Sequence, residues 1–135
     1  MGTKGIVAVG TTTHWTGVYN ASDSYVEGGL GEELKNMAKS MSLAEMAKLV
    51  EDNTQGFQSF PFAYPKDGTD AILSSDTASK RDWLFLEYIY VIDVDAGKIW
   101  WGHSYHKTGN DPNDYTAGPP KKWHVLYSAE KRKKK

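Results

Sequence analysis

Trp83-Leu84-Phe85-Leu86-Glu87-Tyr88-Ile89-Tyr90-Val91-Ile92-Asp93-Val94 is the stretch that decides the fold. Aromatic and β-branched residues dominate it, and such side chains suit a pleated backbone. Alternation places Trp83, Phe85, Ile89 and Val91 on one face. Leu84, Leu86, Tyr88, Tyr90, Ile92 and Val94 then fall on the other. A strand apolar on both faces belongs inside a sheet and is covered from both sides. Asp95-Ala96-Gly97 reads as a short turn with glycine in a left-handed conformation. Lys98-Ile99-Trp100-Trp101-Gly102-His103-Ser104-Tyr105 returns antiparallel. Within it Trp100 and Trp101 are neighbours, so they point to opposite faces. One is expected in the core, leaving the other for a surface.

Outward from this hairpin the remaining elements follow. Gly5–Gly10 and His14–Tyr19 read as a second hairpin, with Thr11-Thr12-Thr13 at its turn. The glycine-rich loop Asp23–Gly31 leads into a helical stretch. There Leu30, Leu34, Met37, Ala38 and Met41 recur at helical spacing. Ser42-Leu43-Ala44-Glu45 matches a capping box, so a second helix, or a kink, starts there. Residues 53–82 are irregular, and Phe57, Phe60, Phe62 and Tyr64 are expected to pin them onto the core. A polar loop over 107–122 precedes a last strand, Trp123–Tyr127. Hairpins with segregated helices define an α+β fold. The expected form is an antiparallel sheet of about five strands with one or two helices packed on one face. One helical layer covers one sheet face. The second is then covered by residues 53–82 or by another copy in a homo-oligomer.

The 135 residues suit a single α+β domain over 1–130 followed by a basic tail, 131–135, expected to be disordered. A net charge of −1 hides an asymmetry: the first 130 residues hold 11 of the 16 bases and all 17 acids, a net of −6. The tail, Lys131-Arg132-Lys133-Lys134-Lys135, suggests weak nucleic-acid contact at most, because the body offers no basic patch to continue it. With no cysteine, disulfides and thiolate metal sites are excluded. The apolar runs are too short for a membrane helix and no leader pattern stands out, so a cytoplasmic location in a bacterial host is expected.

Motifs that would announce an enzyme are missing: no Gly-x-Ser-x-Gly elbow, Walker loop or HExxH occurs. Gly28–Gly31 at a helix start resembles an anion cradle, but Glu27, Glu32 and Glu33 would repel a phosphate. Asp23 with those acids makes a poor calcium or magnesium set, and neither metal nor cofactor is expected. His103 and His106, with Asp111 and Asp114 downstream, are the nearest approach to an acid–base or metal pair. The aromatic surplus is the stronger signal. Tyr88 or Tyr90, with Trp100 or Trp101, can form a patch that stacks a base or anchors a partner.

Met1-Gly2-Thr3-Lys4-Gly5, Gly17-Val18-Tyr19-Asn20, Asp23-Ser24-Tyr25 and Gly29-Leu30-Gly31 together resemble a pattern in small uncharacterised proteins. That family is common in bacteriophages and their hosts, notably actinobacteria. It begins MGT(K/R)G and continues through two strands to D-(S/G)-Y-P-x-x-L-G and a helix. Val26 stands here in place of the proline, Ala21 stands where an aromatic residue or histidine is usual, and one glycine is extra at 28 or 29. The resemblance implies a phage-type setting and no particular reaction. The expected function is a non-enzymatic accessory protein that sequesters a host protein or small ligand, for example in counter-defence. Its candidate binding residues are Asp23, Tyr25, Tyr88, Tyr90, Trp100, Trp101, His103 and His106. The alternatives are a small hydrolase or nucleotide-processing enzyme with an Asp/His site, and nucleic-acid association through the tail.

Overall fold

The computed structural model describes residues 4–20, 24–52, 72–78, 83, 86–107 and 115–129. Strands β1 (Gly5–Gly10) and β2 (Trp15–Asn20) form the first hairpin. Helices α1 (Leu30–Ser40) and α2 (Leu43–Asp52) follow. Next come the short β3 (Ile72–Ser74), the deciding strand β4 (Tyr88–Asp93) and β5 (Lys98–His103). Three further strands are β6 (Tyr105–Lys107), β7 (Tyr115–Ala117) and β8 (His124–Ser128). Six of them build one sheet in the order β3-β2-β1-β4-β5-β8, while β6 and β7 pair as a separate ribbon. The protein is α+β, with two helices packed against a mixed, mostly antiparallel sheet.

Two features differ from expectation. First, the central pair of the six-stranded sheet, β1 with β4, is parallel. The helices and residues after them lie between these two strands in the chain, which gives the long connection that parallel pairing needs. Second, the deciding strand starts at Tyr88, not at Trp83. The Leu86 amide donates to the Trp83 carbonyl at 3.2 Å, so the chain turns there. That turn breaks the alternation, and Leu86 joins Trp83 on one side of the sheet instead of following Tyr88 to the other. The return strand likewise ends at His103. Ser104 is fully buried, its hydroxyl donates to the Leu86 carbonyl, and β6 begins after it.

Strict alternation then sorts the core into two clusters. Val7, Val18, Tyr90, Ile92 and Ile99 meet the helices through Leu30, Leu34, Met46 and Val50. Ile6, Ala8, Ile89 and Val91 face the opposite way, against Trp15, Trp83 and Leu86. Trp15 and Trp83 meet edge to face, with centroids 5.9 Å apart. Among the described residues, cover for the second face thus comes from Trp15, Trp83 and Leu86, with Leu73, Ala78 and Trp123 packed against the cluster. The aromatic residues of 57–64 lie outside the described residues.

Local chemistry fixes the ends of these elements. The capping box is formed: Ser42 Oγ accepts from the Glu45 amide at 3.1 Å, and Glu45 Oε1 accepts from the Ser42 amide at 2.9 Å. Gly97 takes the left-handed conformation, φ 69°, in the β4–β5 turn. Asp93 closes that turn, accepting from the Ala96 amide at 3.1 Å. A register shift between Ile99 and Trp100 marks a bulge opposite β8. The bulge lets Leu126 and Tyr127, although sequential, both pack toward the helices.

Replacing Trp83 by Ala removes the largest described cover of the second face. It should cost about 3–5 kcal/mol in urea-induced unfolding. A loss below about 1 kcal/mol would mean that other residues carry that face.

Candidate functional site

The site begins with a joint between the amino terminus and the loop before α1. At Gly5 a Cβ atom would lie 2.8 Å from both Ser24 Cβ and the Tyr88 carbonyl oxygen, so only glycine lets the loop approach β1 this closely. Ser24 is fully buried, and its hydroxyl accepts from Asn20 Nδ2 at 2.8 Å. The Tyr90 hydroxyl donates to the Ser24 carbonyl at 2.6 Å. Gly5, Asn20, Ser24 and Tyr90 therefore lock the loop to the sheet. The glycine of Met1–Gly5 and the serine of Asp23-Ser24-Tyr25 belong to one contact, which gives those motif positions a structural reason. Leu30 is core, with no exposed surface. Tyr25 differs from both: it is 47% exposed, directly after a buried serine.

Beside this joint the helix-facing side of the sheet carries a group of rings. Cross-strand register places Tyr88 opposite His103 and Trp101 opposite His124. Centroids are 4.6 Å apart in the first pair and 4.4 Å in the second, where the planes lie within 27° of stacking. Tyr88 and Trp101 are 6.2 Å apart, and Trp101 and His103 are 6.3 Å apart, so the four rings are contiguous. Both imidazoles are exposed, and Tyr88 and Trp101 are half-buried. Tyr90 stacks beneath Tyr88 at 6.4 Å and is wholly buried.

Electrostatics separate the tyrosines by role. Burial drives the Tyr90 phenol strongly upward from its ordinary value of about 10, against a smaller opposing pull from the Gly31 backbone. Tyr88 is also raised, first by burial and then by the negative charge of Glu87 and the nearby Tyr25 phenol. Tyr25 is thus close enough to Tyr88 to act on it electrostatically. The Tyr88 phenol therefore stays protonated at neutral pH and offers a hydrogen-bonding hydroxyl, not charge.

Of the expected site residues, Tyr25, Tyr88, Trp101 and His103 come together. Tyr90 supports them from below, with its hydroxyl already used. Trp100 lies on the other face, where its indole N–H donates to Asp93 Oδ2 at 3.3 Å. Asp23 and the side chain of His106 lie outside the described residues, as do Asp111 and Asp114. His103 is thus the one side chain of the expected Asp/His pairing that is described. No group of three metal-ligating side chains occurs among the described residues. Sequence reasoning missed His124. Its signal was alternation within Trp123–Tyr127, which separates His124 from Trp123 and Val125, but only pairing with β5 shows which face it takes.

No known protein family, curated protein or solved structure matches the chain. No helix among the described residues is long and apolar enough to cross a membrane.

Tyr90 also sets an alkaline limit on stability. Its folded value lies above the unfolded one, so its contribution is complete below about pH 10 and is lost as pH rises further. Tyr90→Phe should cost about 1–3 kcal/mol at neutral pH by orphaning the Ser24 carbonyl. The variant should also lose less stability than the parent between about pH 9 and 11, read from urea midpoints. Equal losses in both proteins would place the alkaline sensitivity elsewhere.

Proposed function

We propose that this protein is a non-enzymatic binding protein of phage type, acting in the cytoplasm of a bacterial host. It sequesters a small ligand that contains a flat ring, and in a phage setting such capture serves counter-defence. One observation carries the reading: four contiguous rings, Tyr88, Trp101, His103 and His124, on one sheet face beside the exposed Tyr25. A planar ring offers every such surface a stacking partner, and the interaction is worth about 1–3 kcal/mol per base.

The same rings would suit a protein hot spot less well. Interface cores combine aromatic anchors with surrounding apolar surface. Among the described residues the exposed aliphatic side chains are Leu49, in α2, Val94 and Val125, and none of them belongs to the platform. Val94 sits in the turn at the far end of β4, and Val125 pairs with Trp100 across the strands. The rings of the platform instead carry polar edges: a phenol, an indole N–H and two imidazoles. The phage setting rests on the amino-terminal pattern through Gly5, Ser24, Tyr25 and Leu30.

Calorimetric titration with adenosine, guanosine, cytidine and uridine tests the reading. At least one nucleoside should bind, and Trp101→Ala should weaken it by about tenfold or more. Trp100→Ala, on the opposite face, should leave affinity within about twofold if the variant retains its fold. Absence of binding by all four, or equal losses in the two variants, would refute the stacking surface. Capture of a host protein that survives Trp101→Ala would favour a different surface.

A further inference from the structure

The rings of the platform do not share a plane. Tyr88 lies within 25° of the plane of Tyr90 beneath it, and Trp101 within 27° of the plane of His124. These two pairs are inclined to each other, with 53° between Tyr88 and Trp101. Tyr88 and Trp101 sit on neighbouring strands, with centroids 6.2 Å apart. Flat stacking needs nearly parallel planes. A ring laid on Trp101 therefore gives up flat contact with Tyr88, and the reverse. Both side chains are half-buried, so part of each stays open. Tyr25 stands exposed on the Tyr88 side. Successive bases of a stacked strand are about 3.4 Å apart. A ligand filling both surfaces has its two rings opened away from each other, as single-stranded bases are when aromatic side chains capture them. Charge beside the two surfaces is mixed: exposed Lys121 and Lys122 lead into Trp123 and His124, and Glu87 precedes Tyr88. A phosphodiester linker brings one negative charge, which such a surface tolerates.

We propose that the ligand carries two bases joined by a phosphodiester, one stacked on Trp101 and the other on Tyr88 with Tyr25 at its side. The proposal rests on the stacking reading above and adds the number of rings and their linkage. A nucleoside fills one half of the platform. A dinucleotide fills both halves and gives up the stacking of its own bases in doing so.

Calorimetric titration of the full chain compares each of the four nucleosides with its own dinucleoside monophosphate, ApA, GpG, CpC or UpU. For a base that binds, the dinucleotide should be tighter than the nucleoside by about tenfold or more, the contribution of a second stacked base. The nucleoside 3′-methylphosphate, with the same charge and one base, should stay within about threefold of the nucleoside, because a single exposed charge is screened. Tyr88→Leu keeps apolar bulk at the core edge and removes the second stacking surface. It should bring dinucleotide and nucleoside to within about threefold of each other. A hexanucleotide of the same base separates two sources of the dinucleotide unit: a further gain above about tenfold assigns a longer single strand, a smaller one a free dinucleotide. If the dinucleotide gains less than about threefold, if the methylphosphate matches it, or if a folded Tyr88→Leu keeps the full gain, the two-ring proposal fails and the stacking surface stands. The first two comparisons use the parent protein, so they hold even if Tyr88→Leu does not fold. If no nucleoside and no dinucleotide binds, both readings fail.

Discussion

Alternation along β4 and β5 is the constraint on which the rest of the structure depends. Each strand must send successive side chains to opposite faces. Tyr88, Tyr90 and Ile92 therefore share the helix-facing side with Ile99, Trp101 and His103. Ile89, Val91 and Asp93 share the other side with Trp100. One register error would exchange Trp100 for Trp101 and carry the whole ring platform into the second core. Register is held by burial on both faces, by the Asp93 turn, and by Gly97 in its left-handed conformation. Parallel pairing with β1 then fixes this hairpin against the amino-terminal one.

From that constraint the two faces acquire different duties. The Trp100 face is closed by Trp15, Trp83 and Leu86, and its polar group, the Trp100 indole N–H, is satisfied by Asp93. On the other face the helices cover Val7, Tyr90, Ile92 and Ile99, but leave Tyr88, Trp101, His103 and His124 with exposed or half-exposed rings. The boundary between covered and open surface runs through Tyr90 and Tyr88. Tyr90 is sealed by the Ser24 carbonyl, whereas Tyr88 is shared between the core and the open surface. Tyr25, held outward by the buried Ser24 before it, stands at that boundary. An open groove of about 650 Å³ lies at the other end of the fold, where Met41, Leu43, Val94 and Tyr127 surround the α1–α2 corner and the β4–β5 turn. It shares none of the platform's rings.

Much of this was legible in the sequence because it is local. Residues 88–93 carry an unmistakable two-faced strand, Ser42–Glu45 a capping box, and Asp95–Gly97 a turn. Adjacent Trp100 and Trp101 had to diverge. What was not legible is non-local or depends on one hydrogen bond. The parallel contact between β1 and β4 joins strands far apart in the chain, and no local pattern encodes it. Leu86 reads as part of the strand until its amide bonds to the Trp83 carbonyl and turns it to the other side. His124 enters the site only because β8 pairs with β5 past a bulge. The motif residues Gly5 and Ser24 look unrelated in the sequence, yet they are in direct contact.

The division of labour between the two faces can be read directly from the indole N–H signals of the five tryptophans in an NMR titration with a nucleoside that binds. Each signal is assigned by substitution. Trp101 should move strongly and saturably with ligand, while Trp15, Trp83 and Trp100 stay in place. Shifts of Trp100 or Trp83 with Trp101 unmoved would put the ligand on the opposite face and contradict the account.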